Sequence, residues 1–100
     1  MSPEKESEFR LRAAAQIALL GGTPLSLRSL SLRHAERAIW FKAILACDAT
    51  DDDKEDVSCV ATEILAAFDD GKYSWNEEII VSDGDLRSAE LDLIVYRRKE

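Results

Sequence analysis

The chain has 100 residues, of which 46% are hydrophobic and 33% charged, and it carries a net charge of −7. That is the size and composition of one folded globular domain, and it excludes a disordered segment or two ordinary domains. Two cysteines and one histidine exclude a disulfide framework and a four-ligand zinc site.

The charge is unevenly placed. Residues 1–47 hold seven basic groups against four acidic ones, a net of +3, while residues 48–100 hold six against sixteen, a net of −10. Such a field repels phosphates and attracts cationic partners. No stretch reaches the roughly 20 apolar residues that span a bilayer, and the longest run, Ala38–Cys47, is interrupted by Lys42. The first residues lack the basic start and apolar run of a signal peptide, so the cytoplasm is the expected compartment.

In chain order, the first expected element is a helix from about Pro3 to Leu20, with Ser2 as N-cap and Pro3 at the first helical position. Phe9, Ala13, Ile17 and Leu20 mark its expected buried stripe, and Gly21-Gly22 ends it. Thr23–Leu30 reads equally as a short strand or a helical turn. Ser31–Cys47 is read as a second helix, with Leu32, Ala35, Ile39, Ala43 and Ala46 along one face. A loop at Asp48–Asp53 opens a third helix through a capping box, either Thr50 with Asp53 or Asp52 with Glu55. Val57, Val60, Ala61, Ile64, Leu65 and Phe68 give that helix its core-facing stripe, and Asp69-Asp70-Gly71 ends it.

The period then changes. Tyr73, Trp75, Ile79 and Val81 share one parity, with Glu77 as the exception, which predicts a strand. Ser82-Asp83-Gly84-Asp85 is a turn signal, and Ala89–Arg97 is a second strand. The expected fold is a single α+β domain over residues 1–100, with three helices packed on a small antiparallel sheet formed by a C-terminal β-hairpin. Cys47 and Cys59, each in an expected helix among apolar neighbours, read as small buried hydrophobes.

No catalytic chemistry is legible. His34 has only Ser31 and Glu36 as local polar company, no Gly-rich phosphate loop or nucleophile elbow occurs, and nothing near either cysteine lowers a thiol pKa. The acidic run Asp51–Asp56 fails as a calcium loop. A loop starting at Asp51 puts Asp56 at the required Gly and Thr62 at the bidentate Glu, and one starting at Asp52 puts Val57 at the Gly. An enzyme, a cofactor or a metal site is not expected. Arg10, Arg12, Arg28, Arg33, Arg37 and the terminal Arg97-Arg98-Lys99 are the only handle for nucleic acid, and a pI near 4.7 is the reverse of that footprint.

The acidic residues are candidates for a partner surface. Asp48, Asp51, Asp52, Asp53, Glu55 and Asp56 cluster at the start of the third helix, Asp69 and Asp70 follow its end, and Glu77 and Glu78 lie on the first strand. Tyr73 and Trp75 add aromatic anchors typical of binding hot spots. The plain alternative is a solvated surface that encodes no partner, with Trp75 in the core. On Asp48–Asp56, Asp69-Asp70 and Tyr73-Ser74-Trp75 in a small acidic α+β chain, the sequence resembles the immunity proteins that bacteria make against nuclease toxins, including bacteriocins and contact-dependent growth inhibition toxins. The resemblance implies that carboxylates cover the cationic cleft of a basic toxin domain, with no direct nucleic-acid or membrane contact. Two other readings use different features. A phage-encoded inhibitor of a nucleic-acid-binding defence complex would present the same negative surface. A secretion chaperone or dimeric adaptor would instead expose Leu25, Leu27, Leu30 and Leu32.

Overall fold

The computed structural model describes residues 3–20, 23–35, 37–68 and 74–98. The elements run α1 (Pro3–Leu19), β1 (Leu27–Ala35), β2 (Ala38–Leu45), α2 (Asp51–Phe68), β3 (Ser74–Val81) and β4 (Leu93–Arg97). The class is α+β as expected, but with two helices and a four-stranded sheet in the order β3-β2-β1-β4.

The expected helix over Ser31–Cys47 is instead most of a β-hairpin. Ser29 and Ser31 alternate with Leu30 and Leu32, and Trp40, Lys42 and Ile44 alternate with Ile39, Phe41, Ala43 and Leu45. Leu32 sits opposite Phe41 and Leu30 opposite Ala43, which places one apolar set on one face. The 3.6-residue pattern fits the same letters, but β-branched and aromatic residues at Ile39, Trp40, Phe41 and Ile44 favour the pleated surface. Ala35 pairs with Ala38, as tight as two intervening residues allow. Glu36-Arg37 carries none of the Asn-Gly chemistry that announces such a turn. The undecided connector resolves into a turn, with Leu27 N–H donating to Pro24 O at 3.1 Å, followed by the start of β1.

The expected C-terminal hairpin is also corrected. β3 pairs parallel to β2 and β4 pairs antiparallel to β1, so the two C-terminal strands form opposite edges of the sheet. Parallel neighbours require a crossover, and α2 supplies it between β2 and β3. The segment after β3 then has to pass beneath two strands before β4 begins. It does so on the sheet face away from the helices, where Leu91 N–H donates to Ser31 Oγ at 2.9 Å and Ser29 Oγ donates to Glu90. Ser29, Ser31 and Ile44 are buried there, and Leu86 of the crossing segment is buried with them.

Both helices cover the other face. Leu27, Leu30, Leu32, Ile39, Phe41, Ala43 and Leu45 from the sheet meet Leu11, Ala14, Ala15 and Ala18 of α1 and Val57, Val60, Ala61 and Ile64 of α2. The stripe expected for α2 is therefore found, although the side chain of Phe68 lies outside the described residues, as do Ser2, Gly21-Gly22 and Asp69-Asp70-Gly71. The stripe expected for α1 is reversed. Phe9, Ala13, Ile17 and Leu20 face outward, and the buried side is built from Leu11 and three alanines. Alanines let the helix axis approach the sheet closely, and Gln16 Nε2 fixes it there by donating to Val95 O at 3.0 Å. Cys47 and Cys59, expected to be buried, are exposed free thiols: one follows β2 in a turn and the other lies on α2.

Candidate partner-binding site

The N-terminus of α2 organises the acidic residues. Thr50 and Asp53 form a reciprocal capping box, with Asp53 N–H donating to Thr50 Oγ1 and Thr50 N–H donating to Asp53 Oδ2, each at 3.1 Å. Asp53 also accepts the Ser26 hydroxyl at 2.8 Å, which ties the helix start to the turn before β1. The Thr50 N–H, then Ser26, hold the Asp53 carboxyl below its ordinary pKa. Asp53 is thus committed to structure, whereas Asp48, Asp51, Asp52, Glu55 and Asp56 are exposed around it. Negative charge in this first turn also complements the positive end of the helix.

The other candidates are distributed differently. Glu77 and Glu78 project to opposite faces of β3. Glu77 accepts the Ser58 hydroxyl of α2 at 3.0 Å, while Glu78 pairs with Lys42 at 3.1 Å on the far face. Glu77 breaks the apolar parity of its strand because it faces the helix layer at the sheet edge, where a serine receives it. Trp75 is half-buried against Phe41, with ring centroids 5.9 Å apart. Asp69, Asp70 and Tyr73 lie outside the described residues.

Where α2 meets the end of α1 and the connector that follows it lies a groove of about 390 Å³. Asp53, Asp56 and Glu63 supply its acidic wall, Ala18 and Val60 its apolar floor, and Thr23-Pro24 closes one end beside Cys59. Glu63 is not among the residues expected at a partner surface, although its spacing of seven from Asp56 puts both on one side of α2. The outward stripe of α1 forms an apolar ridge, with Phe9 67%, Ile17 68% and Leu20 85% exposed. Leu25 follows in the next turn at 93%. The sequence signal for this ridge was that α1 is apolar on two sides, and a single sheet covers only one of them. Leu27, Leu30 and Leu32, the remainder of the leucine patch an adaptor would expose, are fully buried.

Among the described residues, no group of three His, Cys, Asp or Glu is placed to hold a metal ion, and no helix is long and apolar enough to cross a membrane. His34 lies on β1 opposite Ile39. What the surface does offer is a carboxylate-lined groove and an apolar ridge, charge and hydrophobic anchors of the kind found in protein-recognition surfaces. The class is that of the small α+β immunity proteins of toxin systems. The chain belongs to the MafI2 immunity protein family, whose model matches residues 8–100. It is therefore a toxin-neutralising immunity protein, a kind of protein that works by binding a toxin partner. No curated protein matches the chain.

Proposed function

We propose that the helix layer is the surface that engages the toxin, and that it takes a basic element of a nuclease-type toxin domain into the groove where α2 meets the end of α1. The observation that carries this reading is the groove itself, in which Asp56 and Glu63 stand over the apolar floor of Ala18 and Val60. A lysine or arginine stem would lie along that floor with its charged head between the carboxylates, the arrangement long cationic side chains favour. Asp48, Asp51, Asp52 and Glu55 extend the negative field along the first turns of α2 and would steer a cationic cleft toward it. The Phe9–Ile17–Leu20 ridge would supply the apolar anchor that charge alone does not. Capping the toxin in this way would block access of its nucleic-acid substrate in the cytoplasm of the producing cell.

Association kinetics with the cognate toxin domain test the reading. Lysine at Asp52, Asp56 and Glu63 together is expected to slow association by about tenfold or more at low salt and to flatten the salt dependence. Asp53 is left intact in this variant because it caps α2. Unchanged association rates in a folded triple variant would place the toxin surface elsewhere.

A further inference from the structure

At the end of the sheet where β1 begins and β3 ends, four arginines surround one shallow pocket of about 370 Å³. Arg28, Arg87, Arg97 and Arg98 line it, together with Gly84, Asp85 and Leu86. From these residues we infer that the chain carries a binding site for an oxyanion, a phosphate or carboxylate group, on the side of the sheet away from the helix layer.

The site is built rather than a chance meeting of surface charges. Arg28 is a buried residue, and its guanidinium donates to the carbonyls of Ser82 at 2.6 Å and Gly84 at 3.0 Å. Arg98 N–H donates to Arg28 O at 2.8 Å, and its side chain reaches Leu25 O, also at 2.8 Å. Arg97 is held by Glu90. Three of the four guanidinium groups are therefore anchored by contacts that fix their position before any ligand arrives. The fourth, Arg87, is exposed and makes no hydrogen bond or ion pair through its side chain among the described residues. Three carboxylates offset part of this charge: Glu90 receives Arg97 and Ser29, Asp83 attracts Arg28 and Arg98 while accepting Cys47 N–H at 3.2 Å, and Asp85 stands in the wall near Arg97.

Guanidinium forks match the planar and tetrahedral oxygens of carboxylates and phosphates, and such charge-assisted pairs are the stronger hydrogen bonds. The pocket lining itself holds four arginines against one acidic residue, Asp85, in a chain whose net charge is −7. The pocket would take either a small phosphate-bearing solute or an acidic side chain of the toxin. The inference does not depend on the proposed role of the helix groove.

The test is a titration of the full chain with inorganic phosphate at constant ionic strength, followed through backbone amide NMR signals. Saturable shifts confined to Gly84–Arg87 and Arg98 are expected, and Arg87→Ala should weaken binding by about fivefold or more without disturbing the remaining spectrum. Arg87→Lys should recover only part of it, because a point charge replaces the fork. Shifts that are absent, unsaturable or spread over the molecule, or an Arg87→Ala affinity equal to the parent's, would overturn the site. Repeating the titration on the toxin complex separates the two sources. Phosphate that competes with the toxin assigns the pocket to an acidic group of the partner, and phosphate that binds the complex unchanged assigns it to a free solute.

Discussion

Ser29 and Glu90 meet beneath the sheet, the serine hydroxyl of β1 donating to a carboxylate from the segment that crosses between β3 and β4. The Glu90 side chain is only 2% exposed, and Arg97 of β4 covers it, with Nε 3.2 Å from Oε2. One carboxylate thus joins an interior strand, an edge strand and the crossing segment. Ser29, 61 positions away in sequence, and Arg97, seven positions away, both satisfy Glu90 in a place where an unpaired charge would be costly.

That arrangement sets a pH dependence. Arg97 first, and Ser29 after it, hold the Glu90 carboxyl below its ordinary pKa against the opposing effect of burial. A depressed carboxylate contributes stability that is fully present above its unfolded value, about 4.3, and that is lost as pH falls through the lower folded value. Glu90→Gln should therefore cost about 2 kcal/mol at pH 7, and the gap to the parent should narrow below about pH 4. Urea unfolding of both proteins at several pH values measures it. A gap that stays constant with pH would mean that the charge of Glu90 is not what holds the crossing segment.

How much of this was legible in the sequence depends on whether the deciding contacts were local. The capping box at Thr50 and Asp53 and the stripe of α2 are local, and both were readable. Ser31–Cys47 was not, because alanines and leucines satisfy both helical and alternating periods there, and strand pairing decides between them. β3 and β4 were recognisable as strands, but their partners lie far back in the chain, and nothing nearby revealed that they border β2 and β1. The α1 stripe was misread because large apolar residues were taken to face inward, whereas the close approach to the sheet selects alanines. Of the candidate site, the acidic character of α2 was visible from composition. The tie from Asp53 to Ser26 and the role of Glu77 as a partner of Ser58 needed the fold.

The capping box makes a second prediction. Removing the Thr50 hydroxyl leaves the Asp53 N–H in the first turn of α2 without its acceptor. Thr50→Ala should lower stability by about 1 kcal/mol, and Thr50→Ser, which keeps the oxygen, should recover most of the loss. Thermal or urea denaturation distinguishes them. Equal stability of the alanine and serine variants would show that the hydroxyl does not carry the cap.

The Cys47 thiol should react slowly because of its neighbour Asp83. Cys47 N–H donates to Asp83 Oδ1 at 3.2 Å, and the thiol's own hydrogen bond to Asp83, followed by desolvation and the negative charge of Asp83, pushes the Cys47 thiol above its ordinary pKa. Fewer thiolates form at neutral pH, so alkylation of Cys47 is slowed although the residue is exposed. Asp83→Asn, in a Cys59→Ser background that leaves Cys47 alone, should raise the labelling rate at pH 7.5. An unchanged rate would show that Asp83 does not govern that thiol.

The reversed packing of α1 gives the sharpest contrast between neighbouring residues. Leu11 is fully buried in the core formed with the sheet and α2, whereas Phe9, two positions earlier and larger, is mostly exposed. Leu11→Ala removes packed methyl groups and leaves a cavity, so it should cost about 2–5 kcal/mol. Phe9→Ala and Ile17→Ala remove surface that water already reaches and should stay within about 0.5 kcal/mol of the parent. The order is the opposite of what side-chain size alone would give. Because Phe9 and Ile17 belong to the proposed toxin surface, the same two substitutions should weaken toxin binding while leaving the urea midpoint in place. Urea unfolding of the three variants, followed by equilibrium binding of those that remain folded, decides the matter. A large loss of stability on Phe9→Ala would return that side of α1 to the core and remove the ridge from the interface.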